Sequence, residues 1–118
     1  MKPNPAYDKA YALAIRIVRA FQHLTEEKRE FVLSKQLLRS GTSIGANLAE
    51  ANGAISEADL SAKVSITYKE SQETKYCLNL LKDTGYIDEK SHTSIFADVD
   101  EVARILFAIL KTTRINKK

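Results

Sequence analysis

Apolar residues return at helical spacing in four successive stretches of this chain. In the first, Tyr7, Ala10, Tyr11, Ala14, Ile17, Val18, Phe21 and Leu24 form one stripe, with Asn4 placed to cap and Pro5 near the first turn. The spacing predicts a helix over about 5–24. The second stretch carries Phe31, Leu37, Ile44, Leu48 and Ala51, and Gly53 supplies a stop, which predicts a helix over about 27–52. Ser56 with Asp59 three residues later reads as a capping box. The pattern Leu60, Val64, Thr67, Ser71, Thr74, Leu78, Leu81 then predicts a third helix over about 57–84, ending at Gly85. Asp88 can cap a fourth, over about 89–114, built on Ile95, Val99, Val102, Leu106 and Ile109. No segment alternates with period two, so a sheet is not expected. The expected fold is all-α: one domain spanning residues 1–118, an up-down-up-down antiparallel four-helix bundle with short connections.

Two helices are apolar over more of their circumference than a bundle core uses. Ile105, Leu106 and Phe107, and likewise Leu13 to Ile15, spread over an arc of roughly 200° at helical pitch, about twice what a core-facing stripe needs. Extra burial inside one bundle is one reading. A second apolar face used in a homo-oligomer is the expected one.

The middle of the second helix also bears a polar seam: Gln36, Ser40, Ser43, Asn47 and Glu50, with Arg39 one turn before Ser43. The third helix answers with Thr67, Ser71 and Thr74 at core-type positions, flanked by Glu70 and Glu73. If these faces meet, Arg39 should pair with Glu73 or Glu70, and Asn47 should join the network, because an unpaired buried charge costs several kcal/mol. Replacing a buried Arg39 by Ala would then cost a few kcal/mol.

The chemistry that would make an enzyme does not assemble from this sequence. Glu50, Glu70 and Glu73 suggest a di-iron bundle, but that site needs Glu-x-x-His pairs, and neither His23 nor His92 follows a Glu at that spacing. No catalytic residue, metal site or cofactor is expected. Cys77 has no His near it in sequence and reads as a packed core thiol, while His23 and His92 are expected on exposed surface or at helix ends. Gly41 and Gly45 do not fit a phosphate loop, which needs four residues between its glycines, then Lys and Ser or Thr. With Ala49 they make a small-residue ridge that lets another helix approach closely, within the bundle or between subunits.

The run Ser34-Lys35-Gln36-Leu37-Leu38-Arg39-Ser40-Gly41-Thr42-Ser43-Ile44-Gly45-Ala46-Asn47, followed by Glu50-Ala51, resembles the signature of the four helix bundle proteins also called 23S rRNA-intervening sequence proteins, or the S23 family. Ser56, Ala58-Asp59, Lys63, Ile66, Lys69-Glu70, Glu73-Thr74 and Tyr76 are similar to that family's third-helix motif. The resemblance covers roughly residues 8 to 112. It implies a bundle assembled as a homopentameric ring, a bacterial origin and no established enzymatic activity. Some relatives are encoded within insertions in the large ribosomal RNA gene, and a related branch assists reverse transcriptases, so it also implies a link to nucleic acid. On this resemblance Arg39, Ser43, Asn47, Glu50, Glu70 and Glu73 are structural or interface positions; Ser40 joins them from the spacing of the polar seam.

Composition adds a location to this picture. At 118 residues with 44% apolar and 28% charged residues, the chain has the make-up of a soluble globule. One cysteine rules out an internal disulfide, and no apolar run approaches the roughly 20 residues that cross a bilayer, which fits the cytoplasm. The net charge is +3, and it is concentrated: Arg104, Lys111, Arg114, Lys117 and Lys118 carry all of the last fifteen residues' charge, while the rest is slightly acidic. Lys9, Arg16 and Arg19 lie on the outward face of the first helix, and antiparallel packing brings Lys2 and Lys9 to the same end as the tail. These eight side chains, Lys9, Arg16, Arg19, Arg104, Lys111, Arg114, Lys117 and Lys118, are the candidate phosphate contacts to RNA or DNA. The other end, with Glu26, Glu27, Glu30, Asp83, Asp88 and Glu89, is more acidic. With Tyr7, Tyr11 and Phe21 on the core stripe, no aromatic stacking platform is expected. The alternative is a scaffold or accessory subunit that binds a protein and touches no nucleic acid.

Overall fold

The computed structural model describes the backbone of residues 5–115 and the side chains of residues 5–113. Asn4, Lys2, Lys117, Lys118 and the side chain of Arg114 lie outside those described residues. Four helices make up the fold: α1 Pro5–Glu26, α2 Leu33–Ala51, α3 Glu57–Asp83 and α4 Glu89–Ile115. Among the described residues there is no strand. Each helix runs close beside two others, α1 beside α2 and α4, α3 beside α2 and α4, and the backbones of the diagonal pairs stay apart. Contacts climb one helix as they descend its neighbour: Arg39 reaches Glu70 and Glu73 whereas Glu50 reaches Lys63. The same opposition runs along α1 and α4, where Lys9 meets Glu101 and Arg16 meets Asp98.

Local chemistry accounts for where the helices start and stop. Ser56 accepts from the Asp59 N–H at 3.0 Å, and the Asp59 carboxylate accepts from the Ile55 N–H, one residue earlier than a strict capping box places it. Asp88 caps α4 by accepting from the Ser91 N–H at 2.7 Å. At the end of α3, Gly85 takes φ +86°, Tyr86 N–H returns to the Leu81 carbonyl and Gly85 N–H to that of Lys82. This is a Schellman close that only glycine adopts without strain.

The start of α2 differs from the sequence reading, which ran the helix from residue 27. Residues 27–32 instead form a turn in which Arg29 is left-handed, φ 56°, and Glu30 N–H reaches back to the Leu24 carbonyl. The Glu30 carboxylate then accepts from the N–H groups of Leu33 and Ser34 at 3.0 and 2.7 Å, and the Ser34 hydroxyl donates to the Glu30 carbonyl. A buried acid thus supplies acceptors that the first turn of α2 lacks. Phe31 and Val32 are exposed in that turn, so Phe31 is not part of the core stripe.

Leu13, Ile17 and Leu24 of α1, Leu37 and Ile44 of α2, Val64, Leu78 and Leu81 of α3, and Val99, Val102 and Leu106 of α4 fill the centre and are fully buried. Gly41 lets α1 come close to α2: a Cβ there would sit 2.8 Å from two carbons of Ile17. Gly45 faces Ala10 at an ordinary 3.8 Å, and Ala49 is exposed, so the close approach is inside the bundle and centred on Gly41.

Candidate functional site

The polar seam divides into a buried part and a surface part. Ser40, Thr67, Ser71 and Thr74 have no solvent exposure. Thr67, Ser71 and Thr74 donate to the carbonyls of Lys63, Tyr68 and Glu70 within α3, and Thr74 Oγ1 lies 3.0 Å from Ser40 Oγ across the α2–α3 seam. Every buried side-chain polar atom among the described residues has a partner. These hydroxyls sit in the core at little cost because each bonds its own helix one turn back.

Arg39 pairs with Glu73 and, at 3.4 Å, with Glu70. The expected buried network is nevertheless overturned: the Arg39 side chain is 57% exposed, because its long stem carries the guanidinium out over α3. Asn47 does not join it either, since its amide donates to the Ser43 carbonyl within α2, and Ser43 donates to the Ser40 carbonyl. Glu50 is an exposed partner of Lys63 at 3.1 Å. His92 lies at a helix end as expected, in the first turn of α4, but buried at 9% exposure, stacked on Phe96 with its Nε2 2.7 Å from Asn79 Oδ1. One further expectation changes. Tyr11 is 58% exposed rather than on the core stripe. Cys77 is buried, and burial pushes its thiol pKa up, which disfavours the thiolate a nucleophile needs. Among the described residues no three His, Cys, Asp or Glu side chains gather as metal ligands, and no helix is long and apolar enough to cross a membrane.

Of the eight candidate phosphate contacts, three are engaged within the chain. Lys9 binds Glu101 at 2.8 Å, and Arg104 binds Asp100 at 2.8 Å. Arg16 binds Asp98 at 2.6 Å while donating to the Ser94 hydroxyl and carbonyl. Asp100 also accepts from Lys75 at 2.7 Å, and that bond above all holds its carboxyl below the ordinary 3.8. Arg19 and Lys111 are exposed and make no ion pair among the described residues. Arg114, Lys117 and Lys118 fall outside the described side chains. The cations of α1 therefore do not act as one patch, because α4 presents Asp98 and Glu101 along the same seam.

One feature was not legible from spacing. A cleft of about 770 Å³ opens at the end holding the α1–α2 and α3–α4 turns, lined by Arg16, Arg19 and His23 of α1, Lys28, Leu37, Leu78, Tyr86, Ile87, Asp88 and Ile95 among others. The end that looked acidic in sequence thus contains a largely cationic cleft. Its walls come from four places far apart in the chain. The Arg16, Arg19, His23 spacing puts three basic side chains on one helical face but says nothing of the other walls.

An all-α protein of four packed helices, with a hydroxyl-bearing core, a charged α1–α4 seam and an open cleft at its turn end, is the class these features define. The chain belongs to the family of 23S rRNA-intervening sequence proteins, whose pattern it matches over residues 2–108. Among solved structures it is similar to a protein of unknown function from the S23 ribosomal protein family of Bacteroides thetaiotaomicron VPI-5482. The two are 47% identical with a TM-score of 0.89, over 90% of this chain and 98% of that one. No curated protein matches the sequence.

Proposed function

We propose that this protein is a non-enzymatic, self-assembling module in which up-down-up-down bundles associate as a homopentameric ring. The observation that carries the reading is on α1: Tyr11, Ile15 and Val18 are exposed at i, i+4 and i+7, one face of the helix that the bundle itself leaves uncovered. A contiguous apolar face of this kind marks an interaction surface. Sedimentation velocity on the full chain tests it. The wild type should sediment as a multimer and Ile15→Asp as a smaller, still helical species; a monomeric wild type would overturn the reading.

The ring's role in this reading is contact with RNA or DNA phosphates through Arg19, Lys111, Arg114, Lys117 and Lys118, with Lys9, Arg16 and Arg104 contributing less because each already has a carboxylate partner. Support comes from the +5 concentration in residues 104–118 and from the family membership. Repetition around a ring multiplies weak contacts and steepens the salt dependence. Truncation after Thr113 should weaken binding and flatten its dependence on salt. The second reading, a scaffold or accessory subunit for another protein with no nucleic-acid contact, is favoured by those same internal ion pairs. Absence of salt-sensitive binding by the intact chain would decide for it.

A further inference from the structure

We infer that the cleft at the turn end of the bundle binds a small organic phosphate of mononucleotide size, independently of how the chains assemble or what the C-terminal tail does. The charge inside it is lopsided. Arg16, Arg19 and Lys28 face a single carboxylate, Asp88, and that carboxylate is committed to the Ser91 N–H at the start of α4. Arg16 is committed as well, to Asp98 and Ser94. The side chains of Arg19, His23 and Lys28 make no hydrogen bond or ion pair among the described residues, which leaves three donors around the cleft.

Arg19 and His23 lie one turn apart on α1, and Lys28 follows in the turn below; the Asp88 carboxyl is held low first by the Ser91 N–H, and Lys28 is close enough to add a little to that. A planar guanidinium fork beside an ammonium and an imidazole suits a tetrahedral oxyanion with several acceptor oxygens. The floor is of a different nature. Leu37, Leu78 and Ile95 are core side chains, and Tyr86 and Ile87 are half-buried beside them. Gly85 also lines the cleft and borders open space, with nothing within 4 Å of where its Cβ would be. The volume falls within the roughly 300–1,000 Å³ of small-molecule sites, far more than an inorganic anion fills. An apolar floor with a cationic rim matches a ligand with a flat ring at one end and a phosphate at the other, the ring lying against Tyr86 and Ile87.

The test is titration of the full-length protein with the four ribonucleoside 5′-monophosphates, followed by amide chemical shifts, with adenosine and inorganic phosphate as separate arms. At least one monophosphate should bind saturably and shift Tyr86, Ile87 and Ile95. Adenosine and phosphate alone should each bind at least about tenfold more weakly, and the Arg19→Ala/Lys28→Ala variant should lose about tenfold or more, both positions being exposed so that folding is unaffected. Any of four results overturns the inference: no binding at millimolar monophosphate, shifts confined to another surface, equal binding of inorganic phosphate, or an unchanged affinity in the double variant.

Discussion

Single side chains here act mainly by satisfying backbone ends or by accepting burial. Burial alone would raise the Glu30 carboxyl, but the N–H groups of Ser34, Leu33 and Val32 outweigh it and hold it below the ordinary 4.5. Glu30→Ala removes the acceptors that start α2 and should cost about 0.5–2 kcal/mol in urea unfolding at neutral pH, as loss of an N-terminal cap does. A carboxyl depressed by folding stabilises the native state above its unfolded value and loses that contribution as pH falls through the folded one. The Glu30→Ala penalty should therefore shrink as pH drops below 4.5. His92 is a second buried group whose charge matters. Its burial first, then the charge of Lys82, against opposing pulls from Asp83 and Glu89, lowers its pKa below 6.5, so the unfolded chain takes up the proton more readily. Stability should fall as pH drops below 6.5, and His92→Gln, which keeps a polar group facing Asn79, should flatten that part of the profile. A profile of unchanged slope would assign the acid sensitivity elsewhere.

At the scale of helices, two glycines one turn apart should respond in opposite directions to the same substitution. Gly41→Ala drives a methyl into the branched carbons of Ile17, which lie too near its own backbone to swing away, and should destabilise by about 1–3 kcal/mol. Gly45→Ala meets only an ordinary contact with Ala10 and gains helix propensity, so it should stabilise by about 0.5–1 kcal/mol. Arg39→Ala should lower the melting midpoint less than Gly41→Ala does, since the pair with Glu73 and Glu70 is on the surface. Thermal unfolding of the three variants ranks them. All four helices were legible from their period, and for α3 and α4 the caps at Ser56, Gly85 and Asp88 agreed with it. The start of α2 was not, because Glu27 to Phe31 has no sequence mark separating a first turn from a capping acid. Tyr11 and Val18 repeat at core spacing yet lie outside the core, because a helical stripe wider than the core has no edge in sequence. For Arg39 the spacing gives the right partners but the wrong depth, since it sets which faces meet and leaves open how far a long side chain reaches. The cleft needs α1, two turns and α4 together, and no local pattern contains it.

For the whole molecule, 48 × 25 × 22 Å in extent, the arrangement of helices leaves an asymmetry. The α1–α4 seam is the sparsest of the four, and it carries the pairs Lys9–Glu101 and Arg16–Asp98, both partly exposed. Exposed pairs of this kind contribute about 0–1 kcal/mol each, so they align the two helices more than they hold them. The face of α1 bearing Tyr11, Ile15 and Val18 is exposed among the described residues, and burying it between copies would add stability that a lone bundle lacks. Mass action then ties melting to concentration: a hundredfold rise stabilises a folded pentamer against five unfolded chains by about 2 kcal/mol per chain, worth on the order of 5–10 °C. Calorimetry across that range should show the wild-type midpoint rising by that amount. Ile15→Asp places a carboxylate on the shared face, so its midpoint should be lower and independent of concentration while the α-helical signal persists at low temperature. A wild-type midpoint that does not move would mean each bundle is stable on its own, and the exposed face of α1 would then contribute nothing to folding.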